Sequence, residues 1–189
     1  MDLVCANKVR TNFMISAHYI AQGVSGLLLF ALPDLLGRKK TMNCNFFVYT
    51  GAQYLLIFVP TFWARYAGFV LFGLSKMKNS VCYVWISELV PIRHKNSALV
   101  SLTSFDSGTL GFLCLYFVLA SREWFPIMML TTLLSTLALL ILIVVLPESP
   151  IWLLQKGRQQ EAIDALNLIG WINGVSKRIP SNAQFIEAR

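Results

Sequence analysis

The stretch WFPIMMLTTLLSTLALLILIVVLP, residues 124–147, carries no charged side chain and no glycine. At about 1.5 Å of rise per helical residue, such a run covers the roughly 30 Å hydrocarbon core of a bilayer. Two more runs, Thr11 to Pro33 and Thr41 to Ala64, are equally free of charge. Across the 189 residues the apolar set makes up 56% and charged residues only 13%, about half the usual charged share. A soluble single domain is therefore excluded.

Two weaker runs complete the set. Tyr66 to Ser87 is interrupted by Lys76 and Lys78, and Asn96 to Ser121 by Asp106. The sequence thus predicts an all-α polytopic membrane protein with five transmembrane helices, at about 11–33, 41–61, 66–87, 96–119 and 124–146. Residues 1–10 form a polar N-terminal stretch with no signal-peptide pattern, 11–146 the five-helix bundle, and 147–189 a polar tail. The connections between crossings are short, so neighbours run antiparallel.

Orientation follows from the cations. Arg38, Lys39, Lys40, Arg93, Lys95, Lys156, Arg158, Lys177, Arg178 and Arg189 fall on one side, ten in all. Lys8, Arg10, Arg65 and Arg122 fall on the other, four in all. The excess marks the first side as cytoplasmic and puts residues 1–10 outside. The net charge of +7 then reads as topology rather than as nucleic-acid binding. Cys5, Cys44, Cys82 and Cys114 contain no close pair, so neither a zinc site nor a disulfide framework is readable. In the tail, Ser149 before Pro150 reads as a cap opening a short helix to Lys156, which stops at Gly157. A second, amphipathic helix is predicted from about Gln159 to Ile169, with Ala162, Ile163, Leu166 and Ile169 on one face.

Three connectors share a pattern. They are Asp34-Leu35-Leu36-Gly37-Arg38-Lys39, then Glu88-Leu89-Val90-Pro91 with Arg93 and Lys95, then Pro147-Glu148-Ser149-Pro150-Ile151-Trp152-Leu153. Together they resemble the loop signatures of the major facilitator superfamily, after its second, fourth and sixth helices. The last stretch is similar to one shared by the sugar porters and the organic cation/anion transporters. Leu3-Val4-Cys5 and Asn173-Gly174 tilt the resemblance to the organic-ion branch.

The five crossings then correspond to the second through sixth helices of a twelve-helix fold. The resemblance implies transport of a small organic ion by alternating access, in the plasma membrane, with lipid and a second transporter half or a full-length transporter as partners. It implies no cofactor and no enzyme activity. The alternative is a non-transporting fragment, splice form or degenerate copy. The signature residues it marks for gating are Asp34, Gly37, Arg38, Lys39, Glu88, Arg93 and Glu148. Three positions depart from the pattern: Phe30 stands for a glycine, Leu35 for an arginine, and Ile151 for an arginine.

Other features look like chemistry. Gly23-Val24-Ser25-Gly26 spells the motif of an intramembrane serine protease, but no base lies on another crossing, so close helix packing is expected instead. Gly68 and Gly73 have P-loop spacing, without the lysine that follows in that motif. Gly108 and Gly111 are expected to pack closely as well. No catalytic residue and no metal ligand set is predicted. His18 and Gln22 share one helix face and are candidates for solute contact. Lys76 shares a face with Asn79 and Tyr83, a polar stripe suited to a cavity, and the resemblance implies that an organic anion could meet Lys76 there. Asp106 and Lys76 both fall about 15 Å deep. A charge there costs roughly 2.5–3.5 kcal/mol on insertion scales, so Asp106 is expected to pair with a lysine, Lys78 in particular.

Overall fold

In the computed structural model, which describes residues 8–120, 122–175, 178–180 and 183, the chain folds into helices separated by short turns. α1 spans Lys8–Leu28, α2 Leu32–Leu36, α3 Arg38–Phe58, α4 Phe62–Leu74 and α5 Met77–Leu89. α6 spans Ile92–Leu115 and ends in a π-helical turn at Tyr116–Ala120; α7 spans Trp124–Val144, α8 Pro150–Gln155 and α9 Gln159–Ile172. Residues 1–7 of the expected N-terminal stretch, including Cys5, lie outside the described residues, whereas 8–10 already belong to α1.

Prolines set several of the ends. Pro33 lacks an N–H and its ring would crowd the carbonyl of Leu29 in a continuous helix, so α1 stops at Leu28 rather than running to 33 as expected. Leu29 O accepts from the Leu32 N–H at 3.0 Å instead, and α2 begins. Val59 and Val90, each before a proline, are extended and end α3 and α5. Ser149 caps α8 as expected, its hydroxyl accepting from the Trp152 N–H at 3.2 Å. Gly157, at φ 73°, turns the chain from α8 into α9.

The segment expected as the third crossing is not one helix. It divides at Ser75-Lys76 into α4 and α5, where Lys76, Lys78 and Asn79 donate to carbonyls three residues back at 3.1–3.2 Å. α1 packs against this break. A Cβ on Gly73 would run into the His18 carbonyl and lie 3.0 Å from the Ala21 Cβ, so only glycine permits the approach. The Ser25 hydroxyl donates to Leu74 O at 2.6 Å, and the Ser75 hydroxyl to Phe72 O at 2.9 Å. Carbonyls freed by the break are thus bonded by side chains, the usual cause of a kink.

α3 lies at the centre, touching α4, α5 and α7. Met42, Met77, Val81 and Trp85 form the apolar core between α3 and α5, with Leu142 of α7 and Leu146 just beyond it packed against it. A polar seam joins α3 to α7: the Ser135 hydroxyl donates to Gln53 Oε1 at 2.6 Å, and both residues are buried. Trp152, Leu153, Ala162 and Ala165 bury themselves between α8 and α9. α6 buries none of its side chains.

Among the described residues, two helices, Ile92–Ala120 and Trp124–Val144, are long and apolar enough to cross a membrane by length and composition. The glycine expectations need correction. A Cβ on Gly23, Gly26, Gly108 or Gly111 would meet nothing within 4 Å, so these four are not close-packing positions. Ser25 alone of its motif faces a neighbour, because α1 turns that residue toward α4 and the two glycines away.

Candidate functional site

The three connectors meet at one end of the helices. Arg38, the first residue of α3, is buried, and each nitrogen of its guanidinium has a partner. Nε and Nη2 donate to the two carboxylate oxygens of Glu88 at 3.2 and 3.1 Å, a bidentate fork from α3 to α5. Nη1 donates to Pro33 O at 3.0 Å and lies 2.8 Å from Asp34 Oδ1. The two acids do not weigh equally. The Glu88 side chain is 14% exposed and that of Asp34 69%, so the Glu88 fork escapes most solvent screening while the Asp34 pair does not.

Glu148 closes the other side. Its Oε1 accepts from the backbone N–H of Lys39 at 2.8 Å and of Ser149 at 3.1 Å. The carboxylate therefore caps the positive end of α3, where unpaired N–H groups and the helix dipole both favour an anion. Gly37 makes this possible. At φ 106° and ψ 154° it sits in a region that essentially only glycine occupies, and a Cβ there would lie 2.5 Å from Glu148 Oε2. The Trp152 indole N–H donates to Asp34 O at 3.0 Å and ties α8 to the same loop.

Of the expected signature residues, Asp34, Gly37, Arg38, Glu88 and Glu148 come together. Lys39 takes part through its backbone. Arg93 is exposed on α6, apart from the cluster. Sequence reasoning missed the part played by Trp152, although its motif drew attention to the stretch. A contact 118 residues away leaves no local signal.

The residues in the middle of the helices are arranged otherwise than expected. His18 is half-buried against α4, with Nδ1 3.3 Å from Phe69 O, and its ring 5.7 Å from Phe72. Gln22, on the same α1 face in the sequence pattern, is exposed. Lys76 Nζ lies 5.8 Å from the Phe72 ring centre, and Lys78 Nζ 4.0 Å from that of Tyr49. Phe72 and Tyr49 themselves touch, 5.0 Å apart. An unbroken helix would turn two side chains at 76 and 78 apart, but the break at Ser75-Lys76 lets both reach one aromatic cluster. Lys78 Nζ also donates to Asn79 Oδ1 at 3.4 Å. No ion pair joins Lys78 to Asp106 among the described residues. Asn79 and Tyr83 face a pocket with Asp106, and Lys76 does not line it.

Residues 4–188 match the family described as "Sugar (and other) transporter", nearly the whole chain. The chain belongs to that family. Among curated relatives, organic cation/carnitine transporter 6 of Arabidopsis thaliana is 26% identical over 193 residues, covering 98% of this chain and 37% of the relative. Organic cation/carnitine transporter 2 of Homo sapiens is 26% identical over 178 residues, covering 92% of this chain and 31% of the relative. Solute carrier family 22 member 2 of Homo sapiens is 24% identical, with 97% and 32% covered. The chain spans about a third of the length of the curated relatives it matches. Membership makes this an α-helical integral membrane chain of a transporter family, as the major facilitator resemblance implied, and not of an enzyme family. The departures from the family pattern, Phe30, Leu35 and Ile151, are all exposed, outside the Arg38–Glu88–Glu148 contacts. Their substitution leaves the cluster intact.

Proposed function

We propose that the chain forms part of a transporter that moves a small organic ion across a bilayer by alternating access. One observation carries the reading: in a chain of the sugar (and other) transporter family, Asp34, Arg38, Glu88 and Glu148 gather from three connectors into one clamp. Rocking of two bundles requires that each move as a body, and the clamp ties α2, α3, α5 and α8 together at one end. The relatives named organic cation/carnitine transporters support an organic ion as solute. In this reading the five crossings stand, with α4 and α5 as halves of one, and a second transporter half completes the pathway. The cation excess supports a clamp and residues 147–189 on the cytoplasmic side, with residues 1–10 outside; the resemblance to the organic-ion branch supports the plasma membrane.

A chimera tests the activity. Residues 4–188 replace the matching stretch of the Arabidopsis thaliana transporter, and cells expressing it take up radiolabelled tetraethylammonium. Saturable uptake is expected. A chimera present at the surface at parental levels, yet taking up no more than untransfected cells, overturns the proposal. Orientation is read separately with a membrane-impermeant maleimide. Cysteine at Asp2 should label in intact cells and cysteine at Asn173 only after permeabilisation; the reverse pattern refutes the assignment.

A further inference from the structure

α9 uses only half of its length inside the fold. Ala162 and Ala165, near its start, are buried against α8, whereas Leu168, Trp171 and Ile172, near its end, are not, and Trp171 is 71% exposed. The chain then doubles back. The Val175 N–H donates to Gly170 O at 2.8 Å and the Gly174 N–H to Trp171 O at 3.0 Å, with Gly174 at φ 74°, the paired bonds that close a helix in a left-handed turn. Asn167 clasps the returning segment: its Nδ2 donates to Ile179 O at 3.1 Å, and its Oδ1 accepts from the Ile179 N–H at 2.7 Å. Between helix and returning segment lies a groove of about 320 Å³ lined by Asp164, Asn167, Leu168, Trp171 and Arg178. The clasp takes the Asn167 amide. Asp164 and Arg178 are the two ionised groups of the groove, and no ion pair joins them to each other or to any other described residue.

The groove selects by chemistry. A plain anion drawn to Arg178 meets the Asp164 carboxylate, and a plain cation drawn to Asp164 meets the guanidinium. A group carrying both charges satisfies both, the guanidinium forking onto a phosphate and the carboxylate accepting from an ammonium beside the Trp171 ring. Pockets for small ligands begin near about 300 Å³, so there is room for one headgroup. Next to the groove, Ile172 and Val175 are half exposed, and with Trp171 they want an apolar neighbour that a soluble zwitterion lacks. A bilayer surface supplies both parts, and tryptophan favours that boundary. The surface is also close. Only residues 145–149 separate α7 from α8, and Trp152 ties α8 to Asp34, so α9 hangs from the helix ends of a chain in a membrane transporter family. We propose that the end of α9 docks on the bilayer surface and holds the headgroup of a zwitterionic phospholipid, phosphate on Arg178 and ammonium on Asp164. The docking needs the bilayer that family membership brings, and not the transport reading.

The test uses the full chain in nanodiscs, with Cys5, Cys44, Cys82 and Cys114 replaced by serine. A bimane label is placed on Ile172→Cys or, as a control at the other end of α9, on Gln160→Cys. In discs of phosphatidylethanolamine and phosphatidylcholine, lipid brominated in its acyl chains should quench the label at 172 at least about twofold more than at 160, and aqueous iodide should do the reverse. Arg178→Gln and Asp164→Asn should each bring the label at 172 to the behaviour of that at 160. Both side chains are exposed, so each variant should keep the parent's midpoint in size exclusion after heating. In phosphatidylglycerol discs, whose headgroup has a phosphate and no ammonium, the parent should dock poorly and Asp164→Asn should restore docking. Iodide reaching 172 as readily as 160 overturns the proposal. So does shielding from both quenchers, which means that protein covers the face, and so does lipid quenching unchanged in both variants. Protection of 172 from iodide by soluble phosphoethanolamine in detergent, without quenching by brominated lipid in discs, assigns the groove to a free ligand and overturns it as well.

Discussion

Replacing Gly37 by alanine should destabilise the fold through two separable effects. At φ 106° and ψ 154°, a residue with a Cβ pays backbone strain of order 1–3 kcal/mol. The new Cβ would also stand 2.5 Å from Glu148 Oε2 and 3.3 Å from the Trp152 ring, so something must move. The flexible carboxylate yields first. Its withdrawal forfeits the charge-assisted bonds to the Lys39 and Ser149 N–H groups, together about 1.5–3 kcal/mol because Glu148 is only half-buried. The sum is about 2.5–6 kcal/mol. At roughly 2–4 °C per kcal/mol for a chain of this size, the midpoint should fall by about 5–24 °C. Fluorescence-detected size exclusion after stepwise heating in detergent measures it. In a Glu148→Ala background the clash is gone, so Gly37→Ala should cost only the strain. An unchanged midpoint for Gly37→Ala, or the full loss persisting without Glu148, would refute the reasoning.

Three more outcomes are expected with the same assay. Arg38→Ala leaves the Glu88 carboxylate buried without its partner and should cost about 3–5 kcal/mol; adding Glu88→Gln should recover part of it, and Arg38→Lys should not substitute, because an ammonium cannot span both oxygens. If the double variant loses the sum of the single losses, the fork is not coupled. Ser25→Ala strands the Leu74 carbonyl and should cost about 1–3 kcal/mol, whereas Gly23→Ala and Gly26→Ala, which meet open space, should be neutral or gain up to about 1 kcal/mol. The reverse ranking would contradict the packing of α1 on α4. For Gln53→Ala and Ser135→Ala, a double-mutant cycle should return a coupling of about 0.6–1.7 kcal/mol, and zero coupling would break the α3–α7 seam as described.

How much of this could be read from the chain depended on whether the cause was local. Pro33, Pro91 and Ser149-Pro150 act on their own few residues, and the helix ends they imply are present within a few positions. The gathering of Asp34, Glu88 and Glu148 was legible only as a resemblance, since Arg38 and Glu88 are fifty residues apart and nothing in either connector names the other. The break at Ser75-Lys76 was not legible. It follows from what α1 brings to it, the Ser25 hydroxyl and a backbone close enough to demand Gly73, and a periodicity argument treats each crossing alone. The lysine error has the same root: positions 76 and 78 point apart on a straight helix and converge on this one. Gln53 and Ser135 likewise show no sequence signal, because either polar side chain would read as a blemish in an apolar run until its partner is opposite.

The bond from Glu148 to α3 has a consequence for how the chain can vary. What the carboxylate grips is the peptide N–H of Lys39, a group that nineteen of the twenty amino acids carry. Position 39 is therefore free to change its side chain to anything but proline, while Glu148 is not free at all. Substitutions at the two sites would show no statistical correlation although their atoms touch, and a search for co-varying pairs would pass over the contact. The same holds for Trp152 on the Asp34 carbonyl and for Ser25 on that of Leu74. A scaffold stitched side chain to main chain can change the residue on the main-chain side of each stitch and keep its shape.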